Sequence, residues 1–169
     1  MAQRRPAPKP NRPRDPNAPP KPERPRDELG RPLPHGSQTL LHMEDFDALT
    51  PQENHRLGAE YFEAGRFFPA HEAWETSWKQ SKGTADAEFF KGLSQMGAGY
   101  VHVLRGNKHG AYTLMRRAAG RIQPYGPEHR GVEAERLAAE VLAHADDVEA
   151  AEQRGAPMPN LRPPRVSGP

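Results

Sequence analysis

The sequence contains no cysteine. That excludes a disulfide framework and any thiolate metal or redox site. Aromatic residues are 7% and hydrophobic residues 34% of the 169. Such a chain can fill one core, so one domain is expected. No run of 18 apolar residues exists, so no membrane-spanning helix is expected. The N-terminus lacks the apolar stretch of a secretory signal. A cytoplasmic protein with no membrane partner is the expectation. Strand-type alternation of polar and apolar residues is missing as well, which argues against a sheet. A uniform charge excess is also lacking. The net charge of +2 is distributed as +5 over residues 1–34, −5 over residues 35–155 and +2 over residues 156–169. The pI of about 9.0 therefore describes the ends. On charge alone, nucleic acid is not the expected partner of the middle part.

Proline is abundant and unevenly placed. Of 20 prolines, 11 lie in residues 1–34 and 5 in residues 156–169. Pro10, Pro13, Pro16, Pro19, Pro22 and Pro25 recur every three residues, the period of polyproline II. Such segments bury too little apolar surface to offset their ordering entropy. Residues 1–34 and 156–169 are therefore expected to be disordered Pro/Arg-rich tails around a helical domain at 35–155.

Within 35–155 the apolar period is helical. Thr50, Pro51 and Glu53 spell a capping box with proline at the first helical position, and Leu57, Tyr61 and Ala64 give an apolar face. Further helices are expected at about 67–79, 85–104, 108–122 and 132–151. Leu40, Leu41, Met43 and Phe46 are expected to cover a core edge. Two stretches align at an offset of 41 residues. Gly58 matches Gly99, Gly65 matches Gly106, Ala70 matches Ala111 and Ser77 matches Ala118, while Tyr61 falls on His102 and Trp74 on Met115. The expected fold is all-α, with about five helices stacked as antiparallel hairpins. The spacing of Leu57, Gly58, Tyr61, Gly65, Ala70, Trp74 and Ser77 resembles a tetratricopeptide unit, although Lys82 stands where that repeat ends in proline.

Polar residues interrupt the apolar stripe of the second helix. His71 and Glu75 share that stripe with Phe67, Trp74 and Trp78, while Glu72 projects to the side. A buried imidazole and carboxylate must pair, bind something or line a wet pocket. On the third helix Glu88, Gln95 and His102 follow each other at seven-residue spacing, so they lie on nearly one line. Gly92, Gly97 and Gly99 lie beside them, which points to a close helix contact or a pocket floor. Asn107 reads as the N-cap of the fourth helix. His109, His129 and His144 have no partner pattern and read as surface.

Residues 71–78 (His-Glu-Ala-Trp-Glu-Thr-Ser-Trp), 90–95 (Phe-Lys-Gly-Leu-Ser-Gln) and 106–111 (Gly-Asn-Lys-His-Gly-Ala) appear in order. The combination resembles the family of domains of unknown function numbered 309, whose pattern is A-H-E-x-x-E-x-x-W, then F-x-x-G-L-x-Q, then G-N-x-x-G-A. The resemblance implies an all-helical domain and carries a loose label of metal-dependent hydrolase.

Two function classes follow. One is a binding module for a small ligand or protein, with a small polar pocket formed by His71, Glu75, Trp78, Gln95, His102 and Asn107. The other is a metal-dependent hydrolase with His71, Glu75 and His102 as ligands of a divalent ion, zinc or similar. No nucleophile triad order or Gly-rich phosphate loop supports a further catalytic class.

Overall fold

A computed structural model describes residues 24–167. The prolines at 10, 13, 16, 19 and 22 lie outside the described residues. Five α-helices follow in order: α1 (Pro51–Glu63), α2 (Phe67–Gln80), α3 (Ala87–Leu104), α4 (Lys108–Ile122) and α5 (Ala134–Gln153). Short 3-10 turns sit at Phe46–Ala48 and Gln123–Tyr125. Among the described residues there is no strand, only two isolated bridges. Each helix packs on the next in the chain. The all-α fold of five helices is the one expected.

Local chemistry sets the boundaries. Thr50 accepts from the Glu53 amide, and the Glu53 carboxylate accepts from the Thr50 amide at 2.8 Å. Two orphan donors at the start of α1 are thus satisfied. At its end Gly65 takes φ 77°, and the Arg66 amide donates to the Tyr61 carbonyl at 2.8 Å. The end of α3 repeats this 41 residues later. Gly106 takes φ 71°, and the Asn107 amide donates to the His102 carbonyl at 2.9 Å. Both are Schellman-type stops that need the left-handed region glycine allows.

The offset also holds in the packing. A Cβ on Gly58 would lie 2.7 Å from the Trp74 indole, and one on Gly99 would lie 3.0 Å from Met115. Trp74 and Met115 are the matched pair of the alignment. Ala70 and Ala111 are both fully buried. The two hairpins therefore use the same device, a glycine that admits one large side chain from the partner helix.

Three details differ from the sequence expectation. First, α1 does not bury Leu57, Tyr61 and Ala64 as its inner face. It buries Asn54, His55, Gly58 and Phe62. The Gly58–Trp74 contact turns that side of α1 inward, and hydrogen bonds hold its polar groups apart from Asn54 Oδ1, which is buried without a partner among the described residues. Asn54 donates to the Phe46 carbonyl at 2.8 Å. His55 Nδ1 accepts from the Trp74 indole N–H at 3.1 Å, and its Nε2–H donates to the Arg130 carbonyl at 3.1 Å. Second, Leu41 and Phe46 are buried as expected, but Leu40 and Met43 are exposed.

The third difference concerns the flanking segments, expected to be free tails at 1–34 and 156–169. Residues 24–34 lie on the domain: the Arg26 guanidinium sits 5.2 Å from the Phe68 ring centroid, and Arg105 donates to the Leu29 carbonyl at 3.2 Å. Residues 156–167 run back over α5, and Val166 is fully buried. Proline-rich composition removes backbone donors, but it does not prevent an extended segment from lying in a groove.

Candidate functional site

The first half of α2 packs on the middle of α3, and Gly97 makes this approach close. A Cβ on Gly97 would stand 3.0 Å from both the Cα and the backbone nitrogen of His71. Ser94, one turn earlier on α3, then reaches the imidazole. His71 Nδ1 lies 2.9 Å from the Ser94 carbonyl oxygen and 2.9 Å from Ser94 Oγ. Ser94 Oγ in turn donates to the His71 carbonyl at 3.3 Å. A carbonyl can only accept, so Nδ1 carries the proton and Nε2 is left to face outward.

Two carboxylates stand in front of Nε2. Glu75 Oε2 is 3.3 Å away and Glu72 Oε1 is 3.6 Å away. Lys79, one turn further on, holds the other Glu75 oxygen at 2.7 Å. The imidazole is 23% exposed, Glu75 29% and Glu72 37%, so the cluster is open on one side. Among the described residues, His71, Glu72 and Glu75 form a group whose ligand-type atoms all lie within 4.8 Å of one another.

The electrostatics follow from this arrangement. Burial works against a charge on His71, but the Glu75 carboxylate, the Ser94 carbonyl and the Glu72 charge outweigh it, and the imidazole pKa is raised. The hydrogen bond from His71, followed by opposing burial and the bond from Lys79, leaves Glu75 pulled down to about 2. Burial raises Glu72, helped by the Glu75 charge and opposed by His71. The two carboxylates in front of Nε2 thus favour a second proton on the His71 ring.

The other expected site residues lie elsewhere. His102 is not in the cluster: its Nδ1 stands 3.0 Å from Asn107 Nδ2. Asn107 is the N-cap of α4 and accepts from the Gly110 amide at 3.0 Å. Gln95 accepts from Arg121 Nε at 3.0 Å, and Glu88 pairs with the same guanidinium. The seven-residue row on α3 thus exists, but its first two members serve the α3–α4 contact. Gly92 and Gly99 serve that contact as well. Trp78 carries the ammonium groups of Lys82 and Lys91, each 5.1 Å from its ring centroid. Of the six pocket residues expected, the structure brings His71 and Glu75 together and supplies Glu72 as the third member.

Glu72 was legible only in part. A residue one position after His71 points about 100° away around the helix. Its long side chain closes the gap, which spacing does not reveal. All three histidines expected at the surface have partners, His109 with the Tyr112 hydroxyl at 2.7 Å. His129 Nε2 donates to Asp86 at 2.7 Å, and His144 Nδ1 is hydrogen-bonded to the buried Tyr100 hydroxyl at 2.6 Å. His109 is exposed as expected.

No helix among the described residues is long and apolar enough to cross a membrane. No curated protein and no solved structure matches this chain. Residues 55–114, which carry the His71–Glu72–Glu75 cluster, match the family described as Domain of unknown function (DUF309), the one that the sequence motifs resemble.

Proposed function

We propose that this domain is a binding module whose polar centre, His71, Glu72 and Glu75, takes a divalent cation. The observation that carries the reading is the spacing around Nε2. Ligands about 2.1 Å from a tetrahedral ion stand about 3.4 Å from one another. His71 Nε2 is 3.3 Å from Glu75 and 3.6 Å from Glu72. An ion could enter between them with little rearrangement once the Nε2 proton leaves. The bond from Nδ1 to the Ser94 carbonyl supports the same reading, because metal-bound imidazoles are oriented in this way from behind. One imidazole with two carboxylates suits zinc or manganese. With Glu72 in place of His102 there are still three protein ligands and one open side. That arrangement leaves room for a bound water or ligand.

Equilibrium dialysis of the native chain against zinc or manganese at pH 7.5 should give about one ion per chain. His71→Gln and Glu72→Gln should each weaken binding at least tenfold. Lys79→Met should strengthen it, because Lys79 competes for Glu75. Affinity should fall as pH drops through the raised His71 pKa, since the ion must displace that proton. The reading fails if the native chain takes up no ion, or if His71→Gln binds as the native chain does.

A further inference from the structure

A different surface carries a second site, made by α1 and α5. Helix α5 ends in a stop of the same type, with Gly155 at φ 64° and the Ala156 amide donating to the Ala151 carbonyl at 2.8 Å. The chain then returns toward the start of α5, where Arg136 donates to the Arg165 carbonyl at 3.1 Å. From residue 153 back to residue 136 along the helix is about 26 Å. The nine steps from 156 to 165 can span at most about 30 Å. This segment is therefore long enough to return to the start of α5.

Its end is held residue by residue. Pro164 and Val166 are buried, while Arg165 and Ser167 are exposed, the alternation of an extended chain lying in a groove. Glu63, the last residue of α1, accepts from the Val166 amide at 3.1 Å, the Ser167 amide at 3.0 Å and the Ser167 hydroxyl at 2.5 Å, all through one oxygen. Arg136 holds the carbonyl before them. Glu133 and Glu140 line the same surface as Arg162 and Arg165, and both are paired with Arg136 at 2.8 Å, which fixes that guanidinium. A cavity of about 390 Å³ lies against Val166 and Ser167, lined also by His55, Ala59 and Val132.

We propose that the α1–α5 groove is a recognition site for extended peptides of the pattern proline–any–aliphatic–serine or threonine, and that residues 164–167 occupy it in cis as a built-in competitor. Backbone capture by Glu63 and Arg136 supplies register, and the proline and aliphatic positions supply selectivity, as in other sites that read alternate side chains. A stack of helical hairpins offers an extended surface of this kind. The partner is thus a segment of another protein that carries this pattern. The chain's own proline-rich segment 16–23 does not fit. If Pro20 is set on Pro164, Pro22 takes the place of Val166 and has no N–H for Glu63. Glu23 then takes the place of Ser167 and brings a second carboxylate to Glu63.

The test uses the full chain and a fluorescein-labelled peptide of residues 160–167. A tethered competitor acts at an effective concentration on the order of millimolar. Val166→Asp disables the competitor and leaves the groove intact, so this variant should bind the peptide at least tenfold more tightly than the native chain. A peptide of residues 16–23 should not bind either protein. Equal affinity for both chains, or equal binding of both peptides, overturns the proposal. If Val166→Asp does not fold, hydrogen exchange on the native chain decides. Unlabelled peptide at about 10 mM should speed exchange of the Val166 and Ser167 amides. Unchanged protection there means that the segment is a fixed part of the fold and the groove is no recognition site.

Discussion

Single glycines and one histidine decide how closely the helices approach. Gly58 and Gly120 both sit inside helices, but only Gly58 faces a partner. A Cβ on Gly58 would meet the Trp74 indole at 2.7 Å, while one on Gly120 would meet nothing within 4 Å. Gly58→Ala should therefore destabilise by about 1–3 kcal/mol through overpacking. Gly120→Ala should stabilise by about 0.5–1 kcal/mol, the ordinary helix preference. Denaturant melts of the two variants check the contrast, and equal effects would show that the Trp74 contact is loose. His55 acts through its proton. Both ring nitrogens are committed, Nδ1 as acceptor from Trp74 and Nε2–H as donor to Arg130. Burial, followed by the opposing Arg130 carbonyl bond, leaves its pKa lowered below 6.5. The unfolded chain then binds a proton below pH 6.5 that the folded chain refuses, so His55 makes stability fall as pH drops below 6.5. Urea titrations at pH 7.5 and pH 5.5 should show this loss in the native chain and a smaller one in His55→Phe. Neither role was visible in composition. A glycine in a helix says that something is close, and a histidine beside polar neighbours reads as surface until the facing tryptophan is known.

At the scale of elements, α2 and α4 start with the same backbone turn but different chemistry. Arg66 and Asn107 are equivalent N-caps, at φ −93°, ψ 73° and φ −88°, ψ 87°. Asn107 accepts from the amide of Gly110, three residues on. The equivalent residue in α2 is Pro69, which has no N–H. A capping side chain at 66 would lack the N3 donor that Asn107 uses, leaving only the Phe68 amide at N2, and the arginine there reaches the His42 carbonyl at 2.9 Å instead. Asn107→Ala should cost about 1 kcal/mol, whereas Arg66→Asn should gain no such cap. Thermal melts of both variants test this, and a clear gain from Arg66→Asn would contradict it. The helix ends were legible because caps, prolines and stop glycines act within one turn. The start of α3 was less so, since it begins at Ala87 after an Asp86 whose side chain makes no cap. Asp86 instead pairs with His129 and Arg130, from a turn more than 40 residues away.

On the scale of the whole molecule, the largest departure from expectation is the return of residues 156–167 along α5. Removing residues 161–169 should uncover the groove and cost about 2 kcal/mol, roughly one buried aliphatic side chain with its backbone bonds. A fall in melting temperature on truncation, and none on removal of residues 1–23, is the expected outcome. An unchanged melt after the C-terminal truncation would return that segment to the status of a free tail. The sequence by itself determined the all-helical class, the five helices, the 41-residue repeat and the pairing of His71 with Glu75. Each depends on residues within a few turns of one another or on a periodicity along one helix. Only the tertiary structure decided that Glu72 rather than His102 joins them, that His55 faces inward and that Val166 fills a groove. Those outcomes depend on which helix face meets which neighbour. A close glycine contact fixes that choice in space, and spacing along the chain does not carry it.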